Sequence, residues 1–228
     1  MADAKDTLNP AVPDGNDDPG RVSSETSFFT GLIELQYGKD VEQKLKKIAE
    51  NIPWAKGWPD NIISFWNAES FMWRHKISKE ARNLIAGELS FLKGGKNLDV
   101  GCGAYSYLSS VGFDISEKML LLNDNCLKKI QGDLENGLPF SSGSFDSVTA
   151  IFVLNYVSGY HKLLQEIKRI LNPNGNFIMV LSANRINSWQ RQKEVASFNS
   201  KEWIAILQKA KFSVDFHEEQ NLCFFRCQ

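Results

Sequence analysis

The most chemically suggestive stretch of the sequence begins at Asp99, Gly101 and Gly103, in the run Asn97-Leu98-Asp99-Val100-Gly101-Cys102-Gly103. An apolar run breaks into a turn built on two glycines, which take left-handed backbone angles at little cost and leave no side chain to hold a ligand away. Two more carboxylates follow at the ends of short apolar runs, Asp114 after Val111-Gly112-Phe113 and Asp133 after Lys129-Ile130-Gln131-Gly132. In an open α/β sheet the ligand lies at the carboxyl ends of the strands. Three successive strand candidates that each finish on a carboxylate, the first running into a glycine turn, therefore describe a nucleotide-cradling site.

A dinucleotide-binding oxidoreductase would need a Gly-x-Gly-x-x-Gly fingerprint and an acidic residue about 20 positions further on. Here Ser106 stands at the third glycine and Asp114 arrives early, so the first helix must be short, over 104–110. The ordered set Asp99-x-Gly-x-Gly, Asp114, Asp133-Leu134, Leu138-Pro139-Phe140 and Ser144-Phe145-Asp146-Ser147-Val148 instead resembles the class I S-adenosylmethionine-dependent methyltransferases. Within them it is similar to the type 11 group that includes the ubiquinone and menaquinone methyltransferases. The resemblance covers residues 78–182, with a looser match to the C-terminus.

That resemblance implies S-adenosyl-L-methionine as cofactor and a set of cofactor-binding residues. Asp114 stands where the family accepts hydrogen bonds from the ribose hydroxyls, with Ile115 and Met119 as apolar contacts to the adenine. Asp133 and Leu134 match the pair that meets the adenine amino group and ring. Gly101, Cys102 and Gly103 form the turn that approaches the methionine part, and Asp99 matches the residue that helps hold its ammonium. Phe152 and Asn155 fall in the region next to the methyl group. Tyr105 departs from the family, many of whose members carry a third glycine there; its ring either covers the cofactor or narrows the pocket.

Methyl transfer is an in-line displacement whose main requirement is alignment of the acceptor in a desolvated pocket. Where the acceptor must lose a proton, a nearby general base helps. His161, at the start of the helix after the fourth strand, and His75, after an aromatic block, are candidates. Tyr156 is a third, better suited by its high ordinary pKa to positioning than to proton abstraction. The residues contain no metal-ligand spacing. The function implied is methyl transfer to a small apolar or aromatic acceptor; a protein or peptide acceptor, and a catalytically silent regulatory protein that binds S-adenosylmethionine, stay open on the same fold.

Around these residues the chain divides into three stretches. Residues 1–26, rich in Asp, Asn, Pro, Gly and Ser, form a flexible tail. Residues 27–77 form a helical, aromatic-rich cover: Val41, Leu45, Ile48 and Ala49 recur at helical spacing. Between Trp54 and Trp73 the segment then holds four of the six tryptophans of the chain. This block would fold over the open end of the sheet and enclose the acceptor. Residues 78–228 form the cofactor-binding domain. Ser78 caps a helix striped by Ala81, Leu84, Ile85, Leu89 and Leu92, and residues 146–154 read as a strand buried on both faces. A helix follows over Tyr160, Leu163, Leu164, Ile167, Ile170 and Leu171. Asn172-Pro173-Asn174-Gly175 makes a turn before a strand over 177–181. Ser200 caps a last helix, and 212–217 and 221–227 close the chain as strands. The alternation predicts an α/β fold, a mostly parallel sheet with helices on both faces. With the resemblance this becomes a Rossmann-like, doubly wound sheet of seven strands with an antiparallel final strand.

Composition bounds the partners. A chain of 228 residues with 43% hydrophobic residues supports one α/β domain with an N-terminal extension. Twenty-six basic against 27 acidic side chains leave a net charge of −1, which disfavours nucleic acid and anionic membrane as partners. The four cysteines lack Cys-x-x-Cys pairing and read as buried free thiols. No apolar run reaches the roughly 20 residues of a membrane span, and no signal-peptide pattern opens the chain. The expectation is a cytoplasmic protein acting on a small molecule.

Overall fold

Seven strands carry the architecture: β1 Asn97–Val100, β2 Ser110–Asp114, β3 Cys126–Gln131, β4 Phe145–Ile151, β5 Leu171–Ser182, β6 Val214–Glu219 and β7 Leu222–Cys227. They lie in the order β3-β2-β1-β4-β5-β7-β6. Neighbours from β3 to β5 are parallel, while β7 pairs antiparallel with both β5 and β6. The computed structural model describes residues 19–183 and 193–228. Seven α-helices lie among the described residues: α1 Pro19–Gln36, α2 Glu42–Ala49, α3 Ile62–Lys76, α4 Lys79–Glu88, α5 Glu117–Leu122, α6 Tyr160–Ile170 and α7 Ser200–Lys209.

The two-residue period of the strands divides the core. On β5, Phe177, Met179 and Leu181 face the cluster completed by α6 (Leu163, Leu164, Ile167) and α7 (Trp203, Leu207). Ile178 and Val180 face the opposite cluster, completed by Ile85 and Leu89 of α4. Cys223, Phe225 and Cys227 of β7 join the first cluster, and Leu222 and Phe224 the second. Both faces are therefore covered, which is why the central strands read as nearly continuous apolar runs.

The chain divides between Pro59 and Asp60 into two compact units. In the first, Phe28 is fully buried, with the rings of Trp54 and Trp58 edge-on to it at 5.8 and 5.5 Å. A Cβ on Gly31 would lie 2.5 Å from Leu45 Cδ2, so α1 and α2 meet closely there. Helix α1 starts at Pro19, inside the stretch read as tail; residues 1–18 lie outside the described residues. The aromatic block is split, with Trp54 and Trp58 in the first unit and Trp66 and Trp73 on α3 in the second.

Four local readings need correction. No helix occupies 104–110; residues 101–109 link β1 to β2 as an irregular loop, too short for the crossover of about a dozen or more residues that parallel neighbours ordinarily use. The strand read over 146–154 ends at Ile151, because Phe152 turns to a left-handed φ of 58°. The turn at 172–175 is a bulge within β5: pairing jumps from Phe145↔Leu171 to Ser147↔Asn176, and Asn172 Oδ1 accepts from Asn174 N at 3.1 Å. The last helix is capped by Asn199 rather than Ser200, through a reciprocal box with Glu202. Ser78 does cap α4, accepting from Ala81 N.

Candidate functional site

At the carboxyl ends of β1, β2 and β4 lies a cavity of about 430 Å³, within the range of small-molecule sites. Asp99, Gly101, Cys102, Gly103 and Tyr105 supply the wall from β1 and its loop, and Asp114, Ile115 and Met119 the wall from β2 and α5. Asp133 and Leu134 close one side, Phe152 and Tyr156 another. Asn155 is not among the lining residues: its Nδ2 donates to Glu194 Oε1 at 3.0 Å, and its carbonyl accepts from the N–H groups of Val195 and Ala196. His161 is exposed, its ring 4.2 Å from that of Tyr160, and it does not line the cavity. The reason is helical phase: α6 turns Leu163, Leu164 and Ile167 to the core and leaves position 161 outside. The side chains of Arg74 and His75 lie outside the described residues.

Two buried carboxylates dominate the electrostatics. Asp114, 7% exposed, accepts from Gly103 N at 2.9 Å on Oδ2 and from Ser116 N at 2.8 Å on Oδ1. Asp99, 3% exposed, accepts from Thr149 Oγ1 at 2.8 Å on Oδ1. Burial pushes each carboxyl up to about 6, and Asp114 pushes Asp99 further in the same direction. Among the described residues neither makes an ion pair. Such a pair suits a ligand that brings hydroxyl or ammonium donors and positive charge. Gly103, at φ 57°, adds the cradle: a Cβ there would project to within 3.6 Å of Trp73 and 3.9 Å of Met119 Sδ, both walls of the cavity. On these observations the site fits S-adenosylmethionine.

Asp133 holds its own turn, accepting from Glu135 N at 2.9 Å. Glu135 in turn accepts from Ser158 N, Ser158 Oγ and Gly159 N at 2.7 to 2.8 Å, tying this wall to the start of α6. Nothing in the sequence flagged Glu135. Tyr105 stands as a wall, with the Arg82 guanidinium 4.5 Å from its ring centroid and Tyr107 edge-on at 5.2 Å.

The remaining wall is aromatic. Trp66 and Trp73, seven apart on α3, share one helix face and stand edge-on at 6.3 Å; Trp66 meets Tyr156 at 5.0 Å and Trp73 meets Phe152 at 6.4 Å. Asn67 anchors this helix to α5: its Oδ1 accepts from Ser116 Oγ at 2.7 Å, while Ser116 Oγ accepts from Met119 N. Burial pushes the Tyr156 phenol above its ordinary pKa.

A family model described as a methyltransferase domain matches residues 98–179. The demethylmenaquinone methyltransferase of Staphylococcus carnosus is 30% identical over 154 residues, covering 60% of this chain and 59% of that protein. The chain thus spans about three-fifths of the length of the curated relatives it matches. Among solved structures, a chain of the complex between the Haloferax volcanii Trm112 methyltransferase activator and a methyltransferase superposes with a TM-score of 0.59 at 16% identity, over 72% of this chain and 94% of that one. An S-adenosylmethionine-dependent methyltransferase from Thermotoga maritima gives 0.57 at 18%, over 71% and 97%. At these identities the likeness is one of fold. Among the described residues no helix is long and apolar enough to cross a membrane. Over residues 98–179, therefore, the chain is similar to a methyltransferase domain, and that stretch carries the carboxylates and the glycine turn of the cavity.

Proposed function

We propose that the chain transfers a methyl group from S-adenosylmethionine to a small apolar or aromatic acceptor. The observation that carries this reading is one cavity lined both by the buried carboxylates of Asp99 and Asp114 and by the rings of Trp66, Trp73, Phe152 and Tyr156. Bound there, the cofactor supplies an electrophilic methyl group on a sulfonium. Asp114 would take the ribose hydroxyls, Asp133 and Leu134 the adenine, and Asp99 with the Gly101–Gly103 turn the methionine part. The aromatic wall would hold the acceptor face and keep water out, so that alignment supplies most of the rate. Tyr156, whose phenol burial keeps protonated, orients the acceptor by hydrogen bonding and does not act as the base. The name of the staphylococcal relatives, demethylmenaquinone methyltransferase, supports a ring acceptor of that size and polarity.

The test is transfer of labelled methyl from S-adenosylmethionine to a panel of small phenols, quinols, aromatic amines and apolar acids, with a peptide digest in parallel. Incorporation into a small aromatic compound supports the reading; incorporation into peptides alone refutes the acceptor class. Cofactor binding without transfer to any of these would direct attention to a protein activator, such as the one bound to the Haloferax neighbour.

A further inference from the structure

The β1–β2 loop does without a helix, so its buried backbone polar groups need other partners. Asn123 and Asn125, in the link between α5 and β3, supply them. Asn123 is fully buried. Its Nδ2 reaches Gly103 O at 2.9 Å, Ser106 Oγ at 3.0 Å and Cys102 O at 3.3 Å. Its Oδ1 accepts from Ser106 N at 3.2 Å and from Asn125 N at 3.2 Å. Asn125 Nδ2 donates to Ser106 O at 2.6 Å.

Gly103 is thereby held from both sides, its N–H on Asp114 and its carbonyl on Asn123, in the left-handed conformation that opens the cradle. The Ser106 hydroxyl accepts from Asn123 and lies 3.5 Å from Cys126 Sγ. One amide side chain thus sets the backbone at residues 102, 103 and 106 and reaches the Asp114 carboxylate through Gly103.

We propose that Asn123 is a positioning residue for the cofactor: its amide takes over the work of the missing first helix and fixes the Cys102–Ser106 loop in the shape that receives the methionine part. This rests on the cavity being the S-adenosylmethionine site. Removing the amide leaves buried carbonyls and an N–H without partners, and the loop relaxes away from the ligand. The adenosine end, held by Asp114 and Asp133, depends on it less.

Calorimetric titration of wild type, Asn123→Ala and Asn123→Asp with S-adenosylhomocysteine and with 5′-methylthioadenosine, which lacks the amino-acid part, separates the two ends. Asn123→Asp keeps the side-chain volume while losing the two N–H donors; Asn125→Ala removes only the bond to Ser106 O and serves if the others fold poorly. The expected result is a Kd for S-adenosylhomocysteine at least about tenfold weaker in both Asn123 variants, methylthioadenosine affinity within about threefold of wild type, and faster amide hydrogen exchange at residues 103–106. Asn125→Ala should show a smaller loss of the same selectivity. Equal losses for both ligands, tracking a fall in melting temperature, would make Asn123 merely structural and overturn the proposal, as would unchanged S-adenosylhomocysteine affinity. Failure of the wild type to bind either ligand would instead overturn the cofactor reading, and the proposal with it.

Discussion

Asp114→Asn separates what this carboxylate does for a ligand from what it costs the fold. Both oxygens accept backbone N–H groups, from Gly103 and Ser116. Burial has lifted the carboxyl from 3.8 to about 6, a balance that already includes the backbone bonds favouring the ionised form. An amide of the same shape removes the cost of holding that charge, about 3 kcal/mol at neutral pH at roughly 1.4 kcal/mol for each factor of ten in the ionisation equilibrium. Its NH2 faces one of the two N–H groups, so the gain is not realised in full, and the ligand-free variant should melt no more than about 5 °C below the wild type at about pH 7.5. Binding has no such compensation. On the proposed reading, in which Asp114 takes the ribose hydroxyls, replacing this charged acceptor by an amide costs about 1.5–3 kcal/mol, a roughly 10- to 100-fold rise in Kd for S-adenosylhomocysteine. The wild type carries a matching pH signature. The folded chain holds protons on Asp99 and Asp114 where the unfolded chain has lost them, so ligand-free stability falls as pH rises from about 4 to 6. A ligand that needs the ionised forms should bind at least about tenfold more weakly at about pH 5 than at about pH 8. Calorimetry reads both effects. A folded Asp114→Asn with a Kd within about threefold of wild type, or a wild-type affinity flat across that pH range, would rule out this role for Asp114.

Gly101→Ala should destabilise by about 1–3 kcal/mol and abolish cofactor binding, since the site has φ 61° and the new Cβ would lie 2.6 Å from Val153 Cγ2; denaturant unfolding measures the first effect. Gly112→Ala should cost a similar amount, because its Cβ would lie 2.3 Å from Cys126 Sγ and 2.9 Å from Cys102 Sγ, and adding Cys126→Ala should restore most of it. Trp66→Ala should raise the KM for the acceptor at least about fivefold while leaving S-adenosylhomocysteine affinity within about threefold, as steady-state kinetics beside calorimetry would reveal.

The strand-end residues were legible because they depend on short-range pattern. Asp99, Gly101, Gly103, Asp114 and Asp133 lie at or near the ends of apolar runs, and parallel topology alone gathers those ends into one cavity. Tyr105, whose role the spacing left open, lines the cavity with the Arg82 guanidinium over its ring, a contact that no local rule reveals. His161 misled because its distance from the fourth strand is informative and its helical phase is decisive. Trp66 and Trp73 could have been separated from Trp54 and Trp58 by their i, i+7 spacing on one helix face. The Asn123 and Asn125 contacts were not readable: asparagines in a turn look ordinary, and only the fold brings them under a loop some 20 residues earlier in the chain. That loop is where the expectation of a helix failed, and the same amides explain how the chain manages without it.

The most direct test of the account is calorimetric titration of the wild-type chain with S-adenosylhomocysteine and with NAD. Saturable binding of one S-adenosylhomocysteine per chain in the micromolar range, with no heat from NAD, is the predicted result. Binding of NAD, or of neither compound by folded protein, would contradict the assignment of this cavity.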